Sequence, residues 1–345
     1  MKAIVYDEFR RPPTLREVPD PVCPPHAAVI RVEATGVCRS DWHGWMGHDP
    51  AIGELPHVPG HEFAGTVERV GADVRGWRAG DRVTVPFVCA CGACERCLVG
   101  DHQVCDDEFQ PGFTHWGSFA EQVVVAHAEV NLVPLPQEVS MVAAASLGCR
   151  FATAFRAVTA QGRLASGEWV AVHGCGGVGL SAIMVAAAYG ARVVAVDVSP
   201  AALEAAKRFG AEATVDATSE EVAPAVREAA SGGAHLSIDA IGSAVTCLNS
   251  IGSLRKRGRH VQVGLMIGDQ AHPPIPMDRV IAQELLIVGS RGMAAHAYPA
   301  MVDRVADGTL RPDLLVGRTV PLDEAAPELA SMDRPVTAGM TVITL

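Results

Sequence analysis

"EWVAVHGCGGVG", residues 168–179, decides the fold of this chain. After Glu168 it runs unbroken through the apolar residues 169–172, the mark of a strand buried on both faces. It ends in a glycine-rich turn that opens into "LSAIMVAAAYGA" (180–191), a stretch with the alanine content of a helix. Downstream, "RVVAVDVS" (192–199) reads as a strand and "PAALEAAKRFGA" (200–211) as a helix with Pro in its first turn. "HLSIDAIG" (235–242), "HVQVGLM" (260–266) and "ELLIVGS" (284–290) read as further strands. Strands alternating with helices predict a doubly wound parallel sheet, an α/β fold of the Rossmann kind. The basic run "RKRGR" (255–259) is expected to be a polar helix end turning into the strand "HVQVG".

The turn fits G-x-G-x-x-G through Gly174, Gly176 and Gly179, with Gly177 and Val178 between them. That pattern is weak alone. Here it follows an apolar strand, opens a helix, and precedes Asp197 by 18 residues, counted from Gly179 to the end of the next strand. Glycines let the backbone approach a pyrophosphate, and a helix N-terminus favours its negative charge. Asp197 can accept hydrogen bonds from ribose hydroxyls and repels a 2′-phosphate. No Arg follows it in "DVSPAA", so NAD is expected over NADP.

Upstream the texture differs. Residues 1–145 are mostly short Val- and Ile-rich runs, such as "AAVIRVEA" (27–34), "GTVERVG" (65–71) and "EQVVVAHAEV" (121–130), punctuated by Pro and Gly. After residue 290 the pattern becomes helix, loop and a last strand, "GMTVITL" (339–345). With 345 residues, two domains are the default expectation.

The composition excludes several classes. Lys and Arg total 28 against 39 acidic residues, a net charge of −11, so a nucleic acid partner is not expected. No apolar run is long enough to span a bilayer, so no membrane partner is expected either. The start, "MKAIVYDEFRRPP", lacks the features of an export signal, and the expected compartment is the cytoplasm.

Five of the ten cysteines fall in "CACGACERCLVGDHQVC" (89–105). Reducing conditions disfavour a structural disulfide and make these thiols candidate metal ligands. Cys91, Cys94, Cys97 and Cys105, spaced C-x2-C-x2-C-x7-C, suit a closed tetrahedral zinc site that leaves no place for substrate. Cys89 is read as a bystander, although a register using it in place of Cys91 stays open, as does redox regulation by the cluster. Chemistry needs an open site. "GVCRSDWH" (36–43), "PGHEF" (59–63) and "LGCRFATA" (147–154) supply Cys38, His61, Glu62 and Cys149. Two sulfurs and one imidazole leave a fourth zinc position vacant, although sequence spacing cannot prove that they meet.

Together with "PGHEFAGTVERVG" (59–71) and "GDRVTVPF" (80–87), these motifs resemble the zinc-dependent alcohol dehydrogenases of the medium-chain dehydrogenase/reductase superfamily, nearly end to end. The resemblance implies a β-rich, GroES-like catalytic domain from residues 1–148 and 291–345, a Rossmann domain at 149–290, and an active cleft between them. It implies Cys38, His61 and Cys149 as catalytic zinc ligands and the four-cysteine lobe as a structural zinc site, two ions per chain. Asp41 would support His61, and Glu62 would be a close, transient ligand. Arg39 would contact the cofactor pyrophosphate, Thr153 and Val178 would lie near the nicotinamide, and Ser40 and His43 would relay a proton. Phe87 would line the substrate pocket; Trp42, Trp45 and Trp116 are candidates for its aromatic walls or for plain packing. A homodimer or homotetramer is implied. Arg150 stands where small residues are familiar, which leaves the pocket floor open. Arg291 is read equally as a phosphate contact or a turn cap.

The chemistry so implied is hydride transfer between an alcohol and NAD, in either direction. Zinc lowers the pKa of bound water from about 15.7 to about 7. A similar response of an alcohol oxygen is worth on the order of 12 kcal/mol. A general base alone contributes about 3–5 kcal/mol. Two rival readings remain: a metal-free quinone or enoyl reductase using NADPH, and a non-enzymatic NAD- or zinc-binding protein.

Overall fold

The computed structural model describes residues 1–333 and 339–345. They form two compact units, Met1–Ala152 with Gly292–Leu345, and Thr153–Arg291. The sequence reading places boundaries at 148/149 and 290/291, and the compact units divide after Ala152 and after Arg291.

The first unit begins with strands β1 (Lys2–Val5), β2 (Thr14–Glu17), β3 (Ala28–Gly36), β4 (Phe63–Val70), β5 (Arg82–Thr84), β6 (Gln122–Val125) and β7 (Val133–Pro134). The second holds β8 (Trp169–His173), β9 (Arg192–Asp197), β10 (Ala213–Asp216), β11 (Ala234–Asp239), β12 (Leu254–Gln262) and β13 (Leu286–Gly289). The chain then returns to the first unit with β14 (Val316–Pro321) and β15 (Met340–Thr344).

The first unit is built on β3. On one side β3 pairs antiparallel with β4, and on the other its start pairs with β6 and its end with β15. Such pairing on both edges explains why β3 is almost wholly buried, with Arg31 as its one exposed residue. Ile30 and Val32 pack there with Phe63, Val67, Val83 and Val123 in one apolar cluster. The pairing of β3 with β4 matters for function. It sets Thr35 opposite Phe63, and Gly36 N–H donates to the Glu62 carbonyl at 2.7 Å. Residues just past the end of β3 therefore meet residues just before the start of β4.

The second unit is the doubly wound sheet that the sequence predicts, all parallel, in the order β10-β9-β8-β11-β12-β13. Numbered within the unit this is 3-2-1-4-5-6, the dinucleotide-binding order. All five residues of β8 are buried, as a central strand covered on both faces requires. The chain leaves β8 toward β9 on one side, and β11 lies on the other, so the glycine-rich turn sits at the switch point of the sheet.

Several elements differ from the sequence reading, among them β14 and the helix Ala325–Ala330, which lie where only a loop was expected before the last strand. The short strand β10, whose four residues are too few to declare a period, completes the sheet edge. The basic run "RKRGR" is not a helix end: the preceding helix stops at Gly252, and residues 255–259 lie inside β12. The register of β12 against β11 slips between Leu254 and Arg259, and Arg257 adopts φ +61°. The extra residues bulge outward, which lets charged side chains occupy a strand. No helix of the described residues is long and apolar enough to cross a membrane.

Candidate active site

Helix Arg39–Trp45 begins directly after β3, and its first turn is built around Asp41. Asp41 is buried and its carboxylate is fully used. Oδ2 accepts the Cys38 N–H at 3.0 Å; Oδ1 accepts Gly60 N–H at 3.1 Å and His61 Nδ1–H at 2.7 Å. One side chain thus caps the helix, holds the approach to β4 and fixes the ring of His61. With Nδ1 committed to Asp41, His61 presents Nε2, a buried atom with no hydrogen-bond partner among the described residues. That is the tautomer a metal-bound histidine needs.

Cys149 arrives on a widened π-helical turn, Leu147–Phe151. Such turns break the regular hydrogen-bond ladder and are frequent at functional sites. The peptide groups here bond elsewhere: the Gly148 carbonyl accepts Phe87 N–H at 3.0 Å and Tyr298 O–H at 3.2 Å, and Arg150 N–H donates to Glu62 Oε1 at 2.9 Å. Donor atoms of Cys38, His61, Glu62 and Cys149 all come within 4.8 Å of one another. The Cys38 thiol is held well below its ordinary range, first by the hydrogen bond from Cys149 and then by Arg150 and His61, against the cost of burial. The same bond, together with burial, pushes Cys149 up. A dication in place of the shared proton would favour both thiolates. An orphaned imidazole nitrogen beside the sulfurs of buried Cys38 and half-buried Cys149 fits zinc.

Glu62 lies among these three but is engaged elsewhere. Its buried carboxylate accepts from Arg150 Nε at 3.0 Å, from Arg150 Nη2 and from the Arg150 amide. Gly36 makes room for this pair, since a Cβ there would lie 2.8 Å from Glu62 Oε2 and 3.0 Å from Arg150 Nη2. The carboxylate that the family resemblance makes a transient ligand is pinned by a guanidinium. Arg150 therefore works beneath the site, a role its place in the sequence did not disclose.

The structural lobe is a separate construction. Cys94 and Cys97 Sγ atoms lie 3.4 Å apart, Cys94 and Cys105 3.8 Å, and Cys91 and Cys97 3.9 Å. Four sulfurs about 2.3 Å from one zinc would be about 3.8 Å from each other, so the lobe fits the ion. Amide groups point at the sulfurs: Cys94 N–H donates to Cys91 and Cys91 N–H to Cys105, each at 3.3 Å. Backbone donors from Asp106 and Cys97 bring the Cys94 thiol down to about 7, in the range where a thiolate forms readily. Buried Asn131 fastens the lobe to the sheet by bonding both the N–H and the carbonyl of Ala90, at 2.7 and 2.9 Å. Cys89 faces the other way, into the core beside Phe63 and Val83, and the sulfurs that converge are those of Cys91, Cys94, Cys97 and Cys105. Cys97→Ser is expected to lower the zinc content and to expose residues 91–105 to proteolysis. Metal analysis and limited digestion would check this.

In the second unit the three motif glycines have distinct jobs. Gly174 takes φ +95°, and a Cβ on it would strike Ile241 at 2.4 Å. A Cβ on Gly179 would lie 1.7 Å from the Gly174 carbonyl oxygen, so helix and strand pack only through glycine there. A Cβ on Gly176 would meet nothing within 4 Å, leaving open space where a phosphate can approach. Helix Gly177–Ala188 starts there without a side-chain cap, so its first N–H groups are free to take an anion. Val178 lies in its first turn. Asp197, at the end of β9, accepts Cys175 N–H at 2.7 Å and Ser199 N–H at 2.9 Å. It shapes the turn with lone pairs to spare.

The remaining predicted residues fall as follows. Ser40 and His43 share a face of their helix, three residues apart, away from buried Asp41 and Trp45. Arg39 stacks on Trp42 at 4.6 Å and donates to the Met332 carbonyl. Thr153 is buried at the start of the second unit. The Phe87 ring lies 6.2 Å from that of His61. Phe113, which sequence reasoning passed over, is closer at 5.1 Å. Trp45 is core, packed with Tyr6 and Leu329; Trp116 is 38% exposed and bonds the Pro56 carbonyl. Asp239 was also missed; its carboxylate accepts Ile241 N–H and Thr246 O–H and so orders the turn after β11.

Comparison with known proteins now decides the family. Residues 24–137 match the family model "Alcohol dehydrogenase GroES-like domain" and 177–307 match "Zinc-binding dehydrogenase". An alcohol dehydrogenase of Geobacillus stearothermophilus is 35% identical over 291 residues, 84% of each chain. The chain belongs to the zinc-dependent alcohol dehydrogenases. An NAD-dependent alcohol dehydrogenase of Sulfurisphaera tokodaii is 32% identical and aligned over 99% of both chains. The solved alcohol dehydrogenase TADH from Thermus sp. ATN1 superposes with a TM-score of 0.92 at 33% identity, covering 100% of this chain and 99% of that one. Two further solved neighbours, each with a TM-score of 0.89 at 26% identity, are complexes with NADP in one case and NADH in the other. This dehydrogenase is thus a zinc oxidoreductase with a GroES-like and a Rossmann-like part, as the sequence motifs led us to expect.

Proposed function

We propose that the enzyme interconverts alcohols and their aldehydes or ketones with NAD, using one catalytic and one structural zinc per chain. The observation that carries this is the engagement of Glu62 by Arg150. With that carboxylate bound to Arg150, the convergent donors reduce to Cys38, His61 and Cys149, a three-ligand set with one position left for substrate. Cys91, Cys94, Cys97 and Cys105 would hold the second ion. When bound, zinc supplies the Lewis acid that polarises the substrate oxygen, and NAD supplies the hydride acceptor.

The chain's own residues do the rest. Asp41 keeps the His61 ring in one tautomer and orientation. Ser40 takes the hydroxyl proton and His43 carries it away. Phe87 and Phe113, beside His61, keep water out and favour apolar substrates, with Trp116 at the periphery. Gly174, Gly176, Gly177 and Gly179 receive the pyrophosphate, joined by Arg39, while Thr153 and Val178 border the nicotinamide. None of the ten cysteines is joined in a disulfide, which accords with a cytoplasmic address. Assembly as a homodimer or homotetramer is the family expectation.

Asp197 sets the cofactor preference by placing a carboxylate where NADP would bring a phosphate. NAD should be preferred to NADP, and Asp197→Asn should shrink that preference by about 10- to 100-fold. The test is a zinc assay paired with NAD and NADP kinetics over primary, secondary and aromatic alcohols. Activity that survives chelation and prefers NADPH would replace this reading with the quinone reductase one.

A further inference from the structure

His43 has a partner that the sequence motifs do not include. Helix Arg39–Trp45 ends at Met46, and Gly47 at φ +74° turns the chain back, so that His48 N–H donates to the His43 carbonyl at 2.9 Å. The turn also brings the two rings together. Their Nδ1 atoms lie 3.1 Å apart, and Trp42 packs its edge against both, at 5.0 Å from His43 and 5.6 Å from His48. Arg39 in turn stacks on Trp42. His43 is half-buried and His48 is exposed.

A bond between two Nδ1 atoms requires one ring to donate and the other to accept, so both rings hold defined tautomers. With Nδ1 of His43 engaged by His48, Nε2 is the nitrogen left to receive a proton from the interior. The groups acting on His43 are Arg39, His48, Cys38 and Asp49. Burial, then Arg39 and His48, push its pKa below the ordinary histidine value, while Cys38 and Asp49 oppose them. A histidine so placed passes a proton on readily but holds it poorly.

We propose that His48 is the outer member of the proton exit, taking the proton of each oxidised alcohol from His43 across the Nδ1–Nδ1 bond and releasing it to solvent. The step conserves one proton. His43 gains it at Nε2 and gives up the one on Nδ1; His48 gains that at Nδ1 and loses the one on Nε2 to water or a buffer base. The starting tautomers return when the exposed His48 ring takes a proton from solvent at Nε2 and passes its Nδ1 proton back, while half-buried His43 releases its Nε2 proton to solvent. In carbonyl reduction the same path runs inward. The proposal rests on the dehydrogenase reading and extends its relay by one residue.

The experiment is single-turnover alcohol oxidation by the zinc-loaded enzyme with NAD in weak buffer. NADH absorbance reports hydride transfer, and a pH-indicator dye reports proton release. In His48→Gln, proton release should lag wild type by about tenfold or more. Added imidazole should restore it, while alcohol KM stays unchanged. Release at the wild-type rate overturns the proposal, and so does a lag that imidazole does not relieve, because His48 would then only position His43. A wild-type enzyme that forms no NADH from any alcohol sinks the dehydrogenase reading itself, a result visible before the variant is tested.

Discussion

Cys38→Ser is expected to lower turnover by about a thousandfold or more and to remove one zinc per chain while leaving NAD binding intact. Each part has its own cause. The loss of rate follows from the several kcal/mol that a Lewis acid contributes, with each 1.36 kcal/mol worth a factor of ten. Zinc is lost because only His61 and Cys149 remain as ligands once Cys38 is gone; Glu62, the fourth nearby donor, is held by Arg150. NAD binding persists because Gly174–Gly179 and Asp197 lie in the other compact unit and make their bonds within it. Metal analysis, steady-state kinetics and NAD titration on one preparation would check all three. A Cys38→Ser enzyme with wild-type turnover would exclude Cys38 from the chemistry.

What the sequence disclosed depended on how local each feature is. The glycine-rich turn and the four-cysteine lobe are each complete within about twenty residues, so spacing alone carried their geometry. The catalytic set is different. Cys38 and His61 meet because β3 and β4 pair antiparallel, and Cys149 joins them because the Gly148 carbonyl bonds Phe87 N–H, relations that no spacing encodes. There the family resemblance, not the residues alone, pointed to the grouping. Phe113 was missed for the same reason, since it reaches His61 from a loop 52 residues away; His48 is near His43 in sequence, but only the left-handed turn at Gly47 brings the two rings together. The run "RKRGR" misled because a bulged strand can carry charges that resemble a helix end. Arg150 was visible as an oddity, but its meaning depended on Glu62, 88 residues earlier.

That pair carries the other large prediction. Glu62 is fully buried and the Arg150 side chain is only 12% exposed, so each neutralises the other where water cannot. Arg150→Ala is expected to destabilise the protein by about 3–5 kcal/mol, because it leaves a carboxylate buried without its counter-charge. Glu62→Gln should cost a similar amount by stranding the guanidinium. The double variant Glu62→Gln/Arg150→Met should recover much of the loss, since an apolar replacement of a buried pair is often neutral. Denaturant melts of wild type, Glu62→Gln, Arg150→Met and the double variant give the coupling directly, and additive losses would mean that the contact stores no energy. The same variants separate stability from site geometry. In Arg150→Ala the Glu62 carboxylate is released within 4.8 Å of the three zinc ligands, free to become the fourth. Zinc should then leave more slowly to a chelator while turnover falls, as the position meant for substrate fills. Glu62→Gln, a far weaker metal ligand, should not slow zinc release. If both variants surrender zinc at the same rate, Arg150 stabilises the fold without guarding the open position.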